Sequence, residues 1–165
     1  MGTGIILVAG VSGVGKTTLC QRVAANERGI HHLIASSFVS GQRATDQVEL
    51  VARIRAAAQG LGGTTLVDGH LIVGGIKVPL EAVAALAPRA IVVVTAHPRD
   101  IVSRRTSDGN RTRSTLTEDE IHHAQTAEVQ WARELASAIG VPLAEISCQN
   151  SDGSWPALRH LLGIG

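Results

Sequence analysis

Short unbroken apolar runs alternate along this chain with longer stretches in which apolar residues recur every three or four positions. The first pattern marks strands covered on both faces, the second amphipathic helices. The runs predict strands over residues 5–9, 33–35, 64–67, 90–95 and 142–146. The periodic stretches predict helices over 16–25, 47–59, 79–86, 98–105, from the cap at Thr117 to about 139, and 155–162. The punctuation agrees with this division. Pro79 opens one helix and Pro88 closes it, while Gly60 and Gly140 stop two others. Thr117-Glu118-Asp119-Glu120 has the form of a capping box. Strands that alternate with helices imply an α/β fold, a parallel sheet with helices on both faces. The alternation runs through 1–165 without repeat or linker, so a single domain is expected, interrupted by polar loops at 36–46 and 107–116.

Composition narrows the class. With 165 residues the chain is long enough to bury a core without staples. Its formal net charge of +1 supplies no global field for nucleic acid or a membrane surface. Phe38, Trp131 and Trp155 are its only aromatic rings of the Phe, Tyr and Trp type, too few for a base-stacking platform. No apolar run approaches the ~20 residues that span a bilayer. A strand begins almost at once, with no basic n-region or cleavage site, so no signal peptide is expected. Cys20 and Cys148 have no motif spacing and read as two reduced, buried thiols of a cytoplasmic protein.

The chemistry is concentrated between the first strand and the first helix. Gly10-Val11-Ser12-Gly13-Val14-Gly15-Lys16-Thr17-Thr18 fills the P-loop pattern and follows Ile5-Ile6-Leu7-Val8. Gly10, Gly13 and Gly15 allow successive N–H groups to face one concavity, and a helix starting there adds its positive dipole end. Ser12, Val14 and Thr18 complete the backbone cradle for a nucleoside triphosphate. Lys16 is expected to reach the β- and γ-phosphates, and the Thr17 hydroxyl to ligate Mg²⁺. The chain has only two lysines, Lys16 and Lys77, against thirteen arginines, and one of the two stands at the motif position.

Asp68 ends the apolar run of the third predicted strand, which places a carboxylate at the carboxyl edge of the sheet, where ligands bind in open α/β folds. It can hold Mg²⁺ or orient an acceptor. His70, two residues on, either contacts substrate or packs. His31-His32 and His122-His123 lack partners at ligand spacing and read as solvated faces. Residues 99–113 carry a net charge of +3. Within them Arg104 and Arg105 end a helix, Ser107-Asp108-Gly109-Asn110 forms a turn, and Arg111 and Arg113 follow. This is the form of a short lid whose guanidinium groups neutralise a migrating phosphoryl and exclude water. The alternative is a surface loop paired to Asp100 and Asp108. Arg43, at a helix entrance, is a candidate for holding an acceptor phosphate.

Together these residues resemble the adenylate kinases and related small P-loop kinases, and look most like the short archaeal-type adenylate kinases. The resemblance spans nearly the whole chain. It rests on Gly10 to Thr18, Asp68-Gly69-His70, the stretch from Ala96 to Arg105, the reduced lid from Asp108 to Arg113, and Ile121 with the helix behind it. It implies a three-layer P-loop fold with a five-stranded parallel sheet, with the acceptor region at about 36–60 and a short lid at about 106–116. It also implies a nucleoside monophosphate held near Arg43, and a donor adenine packed against Arg104 or Arg105. The segment between His70 and Pro79 is short and apolar, and the acceptor region after Phe38 is compact, two departures from the family pattern that bear on the acceptor.

The expectation is an ATP-dependent phosphotransferase of adenylate kinase type, using ATP and Mg²⁺. Lys16, Asp68, Arg105 and Arg113 are its catalytic candidates, Arg104 a donor contact, and Arg43, His70 and Arg111 acceptor contacts. Two alternatives stand beside it: a kinase for a sugar, nucleoside or cofactor precursor, and an ATP-hydrolysing switch acting on a macromolecule.

Overall fold

The computed structural model describes residues 4–39, 47–107, 116–148 and 154–163. In chain order its elements are β1 (Gly4–Ala9), α1 (Lys16–Asn26), β2 (Ile30–Ile34), a 3₁₀ turn (Ala35–Phe38), α2 (Gln47–Leu61), β3 (Thr64–Asp68), β4 (Ile72–Val73) and β5 (Ile76–Lys77). There follow α3 (Leu80–Leu86), β6 (Pro88–Thr95), α4 (Pro98–Ser107), α5 (Glu118–Ile139), β7 (Leu143–Ser147) and α6 (Ser154–Leu162). Five strands form a sheet in the order β2-β3-β1-β6-β7, and every neighbouring pair is parallel.

Alternation along the central strands divides the core in two. Ile6 and Val8 of β1, with Val92 and Val94 of β6, meet Leu19 and Val23 of α1, Ile101 of α4 and Leu158 of α6. Ile5 and Leu7, with Ile91 and Val93, meet Ile54 of α2, Val83 of α3 and Leu135 of α5. Helices thus cover both faces, which is why β1 and β6 carry unbroken apolar runs. Each fully buried Ile or Leu contributes about 1.5–3 kcal/mol. Helix α5 begins against the first cluster at Ile121 and continues into the second at Ala132 and Leu135. Its middle therefore passes the carboxyl edge of the sheet.

Three elements differ from the sequence expectation. Strand β2 is Ile30–Ile34 rather than 33–35, because the polar His31 and His32 break the apolar run that signals a strand. Helix α2 runs through Gly60 to Leu61 and stops at Gly62 and Gly63, both at φ +68°. The apolar stretch after His70 contains a hairpin, β4–β5, turning on Gly74 and Gly75 at φ +57° and +80°. Two positive φ angles are what a tight two-residue hairpin turn requires.

Candidate active site

Strands β1 and β3 lie side by side in parallel register, with Val8 opposite Asp68. The P-loop leaves β1 at this edge and enters α1 through Gly15, whose φ of +106° suits its place as N-cap. Lys16, the first residue of α1, is only 6% exposed. Its Nζ donates to the Gly10 carbonyl at 2.7 Å and the Val11 carbonyl at 3.2 Å. Ser12 and Gly13 are partly exposed, Val14 is buried, and Thr18 lies exposed on α1. Gly13 has φ +88°, and a Cβ there would stand 2.9 Å from Cγ of Arg105.

Thr17 and Asp68 meet directly: the Thr17 hydroxyl donates to Asp68 Oδ2 at 2.5 Å. Asp68 is 4% exposed. Burial pushes its carboxyl up, but contacts with His32 and Thr17 and the charge of Lys16 outweigh burial and hold it below its ordinary value. His32 corrects the sequence reading. It stands on β2, the strand beside β3, and its Nε2 is 3.5 Å from the same Asp68 oxygen, with the side chain 9% exposed. A parallel partner strand brings to Asp68 a residue that sequence places far away. His122 and His123 are exposed, as expected of a solvated face.

His70 is exposed, and its Nδ1 lies 2.8 Å from the Gly10 carbonyl. A carbonyl only accepts, so Nδ1 carries the proton in this contact. Arg104 donates through Nη1 to the Val14 carbonyl at 2.9 Å and through Nη2 to the Cys148 carbonyl at 3.4 Å, tying the P-loop to the segment after β7. Arg105 packs on Gly13. Both arginines therefore stand at the rim of the P-loop. Arg43, Arg111 and Arg113 lie outside the described residues.

Two buried polar residues of α5 reach the same edge and were not singled out from the sequence. Gln125 clamps the peptide of Ala96 with Oε1 and Nε2, each at 2.9 Å. Glu128, 2% exposed, accepts from the amides of Leu71 at 2.7 Å and Ile72 at 3.1 Å. Burial raises its carboxyl above the ordinary glutamate value, and the Leu71 amide, the Lys16 charge and the Ile72 and Gly10 amides offset this only in part. The signal was present: Ile121, Gln125, Glu128, Ala132 and Leu135 recur at helical spacing, so two polar residues fall on the buried stripe. Cys20 and Cys148 are buried and not joined in a disulfide, and burial pushes the Cys20 thiol far up, as suits an inert core residue.

A family model described as an AAA domain matches residues 40–122. The chain belongs to this AAA-domain family. The AAA-domain match runs from ahead of α2 through β3 and α4 into α5, and so takes in Asp68, His70, Arg104 and Arg105. The chain is also 26% identical over 148 residues to an adenylate kinase of Thermococcus sibiricus (strain DSM 12597 / MM 739), covering 73% of this chain and 74% of that one. Among solved structures it resembles an unliganded sugar kinase from Janibacter sp. HTCC2649, with TM-score 0.62, 19% identity, and 99% and 96% of the two chains covered. A gluconokinase from Sinorhizobium meliloti 1021 follows at TM-score 0.61 and 13% identity, covering 97% of this chain and 91% of that one. The expectations of a small P-loop kinase and of a three-layer α/β P-loop fold are both met. Among the described residues no helix is long and apolar enough to cross a membrane.

Proposed function

We propose that this P-loop kinase transfers the γ-phosphoryl of ATP to a small-molecule acceptor, that the acceptor is a nucleoside monophosphate, and that Mg²⁺ is the metal. The observation that carries the reading is the contact of Thr17 Oγ1 with Asp68 Oδ2. It joins a hydroxyl at the start of α1 to a carboxylate at the edge of β3. Two hard oxygen donors of this kind suit Mg²⁺, and they stand beside a backbone cradle that suits a polyphosphate. When bound, Mg²⁺ neutralises charge on the β- and γ-phosphates.

The chain's own residues do the remainder. Lys16 exchanges its hold on the Gly10 and Val11 carbonyls for the donor phosphates. Arg105 and Arg113 neutralise the charge that spreads over the migrating phosphoryl, and Arg104 supports the donor side. Arg43, Arg111 and His70 hold the acceptor. Positioning and electrostatics suffice, and no covalent enzyme intermediate is needed.

The 26% identity to an adenylate kinase supports the monophosphate. A sugar is the second acceptor to test, since solved kinases that share this fold over nearly the whole chain include a sugar kinase and a gluconokinase. The deciding experiment measures ADP formation from MgATP alone and with AMP, CMP, GMP or UMP, with Lys16→Ala as control. Strong stimulation by AMP, with ADP formed from both substrates, is expected. Stimulation by sugars alone moves the assignment to the second acceptor. Steady hydrolysis indifferent to any acceptor refutes the kinase reading in favour of a nucleotide switch.

A further inference from the structure

Ile30, His32 and Ile34 share one face of β2, and Leu66 and Asp68 share the matching face of β3. His32 pairs with Leu66 and Ile34 with Asp68 in parallel register. Ile30 and Leu66 belong to the core cluster that packs on α1, with Leu19 and Val23. His32 thus stands on a face whose neighbours are apolar, and its side chain is 9% exposed. Burying an imidazole there is costly unless a polar partner answers it. The group that answers is Asp68, whose Oδ2 lies 3.5 Å from His32 Nε2. Among the described residues Nε2 makes no hydrogen bond elsewhere. A carboxylate only accepts, so Nε2 carries the proton in this approach. The Thr17 hydroxyl donates to the same oxygen from the start of α1. Oδ2 is therefore met from two sides, by a helix and by an edge strand. Among the described residues Oδ1 accepts no hydrogen bond.

We propose that His32 is a positioning residue for the metal: it holds the Asp68 carboxylate by Oδ2 and so turns Oδ1 to the cation. The inference rests on the reading of Thr17 and Asp68 as the metal pair. A carboxylate at a strand end rotates about its own side-chain bonds, and binding in one orientation must first still that motion. One hydroxyl contact lets the group pivot about Oδ2. His32 adds a second contact from β2, and the pairing of β2 with β3 fixes where that contact comes from. Partners that orient a ligating carboxylate typically change metal affinity by about 10–100-fold. In this role the imidazole acts through Asp68 and contacts no phosphate. Its loss weakens the metal and spares the bare nucleotide.

Binding of Mn²⁺, a paramagnetic stand-in for Mg²⁺, tests this on the full chain with a non-hydrolysable ATP analogue present. His32→Leu should weaken Mn²⁺ about tenfold or more. The analogue without metal should still bind within about threefold of wild type. His32→Gln returns a neutral donor and should recover Mn²⁺ affinity to within about threefold of wild type. Asp68→Asn should weaken Mn²⁺ as well, and adding His32→Leu to it should lower the affinity no further. Wild-type Mn²⁺ affinity in His32→Leu overturns the proposal. So does a folded His32→Gln as poor as His32→Leu, and so do losses that simply add in the double variant. An equal loss of metal-free nucleotide marks a damaged site and overturns it too. Should His32→Leu not fold, His32→Met removes the donor with a more adaptable side chain and reads the same quantities. Failure of the metal pair shows differently, in an Asp68→Asn protein that binds Mn²⁺ as tightly as wild type, and the proposal falls with it. A wild type that binds metal and analogue yet phosphorylates no acceptor refutes the kinase reading alone, and the Mn²⁺ comparison then still decides the role of His32.

Discussion

Lys16 and Gly10 stand six residues apart in one loop, and their replacement should fail in opposite ways. The Lys16 ammonium rests on two carbonyls at the mouth of the site. Lys16→Ala forfeits two bonds from a charged donor, worth about 1.5–3 kcal/mol each, but also relieves the burial of an ammonium, and it removes the cation proposed to meet the transferred phosphoryl. Turnover should fall by about 10²–10³-fold, as when one preorganised donor is lost from a transition state, with little change in melting temperature. Gly10 has φ +149°, and a Cβ there would stand 2.5 Å from the Val94 carbonyl oxygen. Neither atom can swing aside. Gly10→Ala should therefore cost about 3 kcal/mol, from backbone strain and overpacking together, and lower the melting temperature well below that of Lys16→Ala. Measuring kcat and Tm for both variants checks the contrast, and a Gly10→Ala protein as stable as wild type refutes it. The same scale explains what the sequence revealed. The P-loop is legible because its chemistry is consecutive, and Asp68 because a charge ending an apolar run is conspicuous. His32 is not legible, since its meaning depends on the pairing of β2 with β3. Glu128 lies 57 residues from the Leu71 amide that it holds, and only its place on a buried stripe betrays it.

Among the elements, α5 is the one whose start is most fully specified. The Thr117 hydroxyl accepts from the Glu120 amide, and the Glu120 carboxylate accepts from the Thr117 amide. Thr117→Ala removes the cap and should cost about 1 kcal/mol. The exposed Glu120 carboxyl is held below its ordinary value, first by the Thr117 backbone N–H and then by the Thr117 hydroxyl. A carboxylate with a depressed folded pKa adds stability above its unfolded pKa, about 4.3, and that contribution fades as pH falls through the lower folded value. Wild type should therefore exceed Glu120→Gln in stability at about pH 7, and the two should converge in acid. Urea midpoints at neutral and acid pH measure this, and an undiminished gap in acid refutes it. This box was readable because capping is a local rule spanning one turn. Strand β2 and the β4–β5 hairpin were not, since the first is an edge strand with polar positions and the second has only two-residue arms. Periodicity cannot register an alternation that short.

On the scale of the molecule, the sheet order places β1 between β3 and β6, so the P-loop leaves the central strand. Ligands of open α/β sheets gather at this edge, where the strand order turns outward in both directions. Contacts from the loop then spread through most of the fold. Thr17 reaches β3, and Arg104 links α4 to the P-loop and to the segment after β7. A ligand that binds there would bind the native state alone and so stabilise it. Binding to the native state alone adds about 2.7 kcal/mol at a ligand concentration near a hundred times Kd. For a domain of this size each kcal/mol is worth about 2–4 °C. A non-hydrolysable MgATP analogue should therefore raise the melting temperature by roughly 5–10 °C, and the shift should vanish in Lys16→Ala. Chelating the metal should shrink it, because Thr17 and Asp68 then face the phosphates without the cation between them. No shift in the wild type sinks nucleotide binding at the P-loop. A shift that survives chelation unchanged keeps the P-loop as the donor site and removes Thr17 and Asp68 as the metal pair.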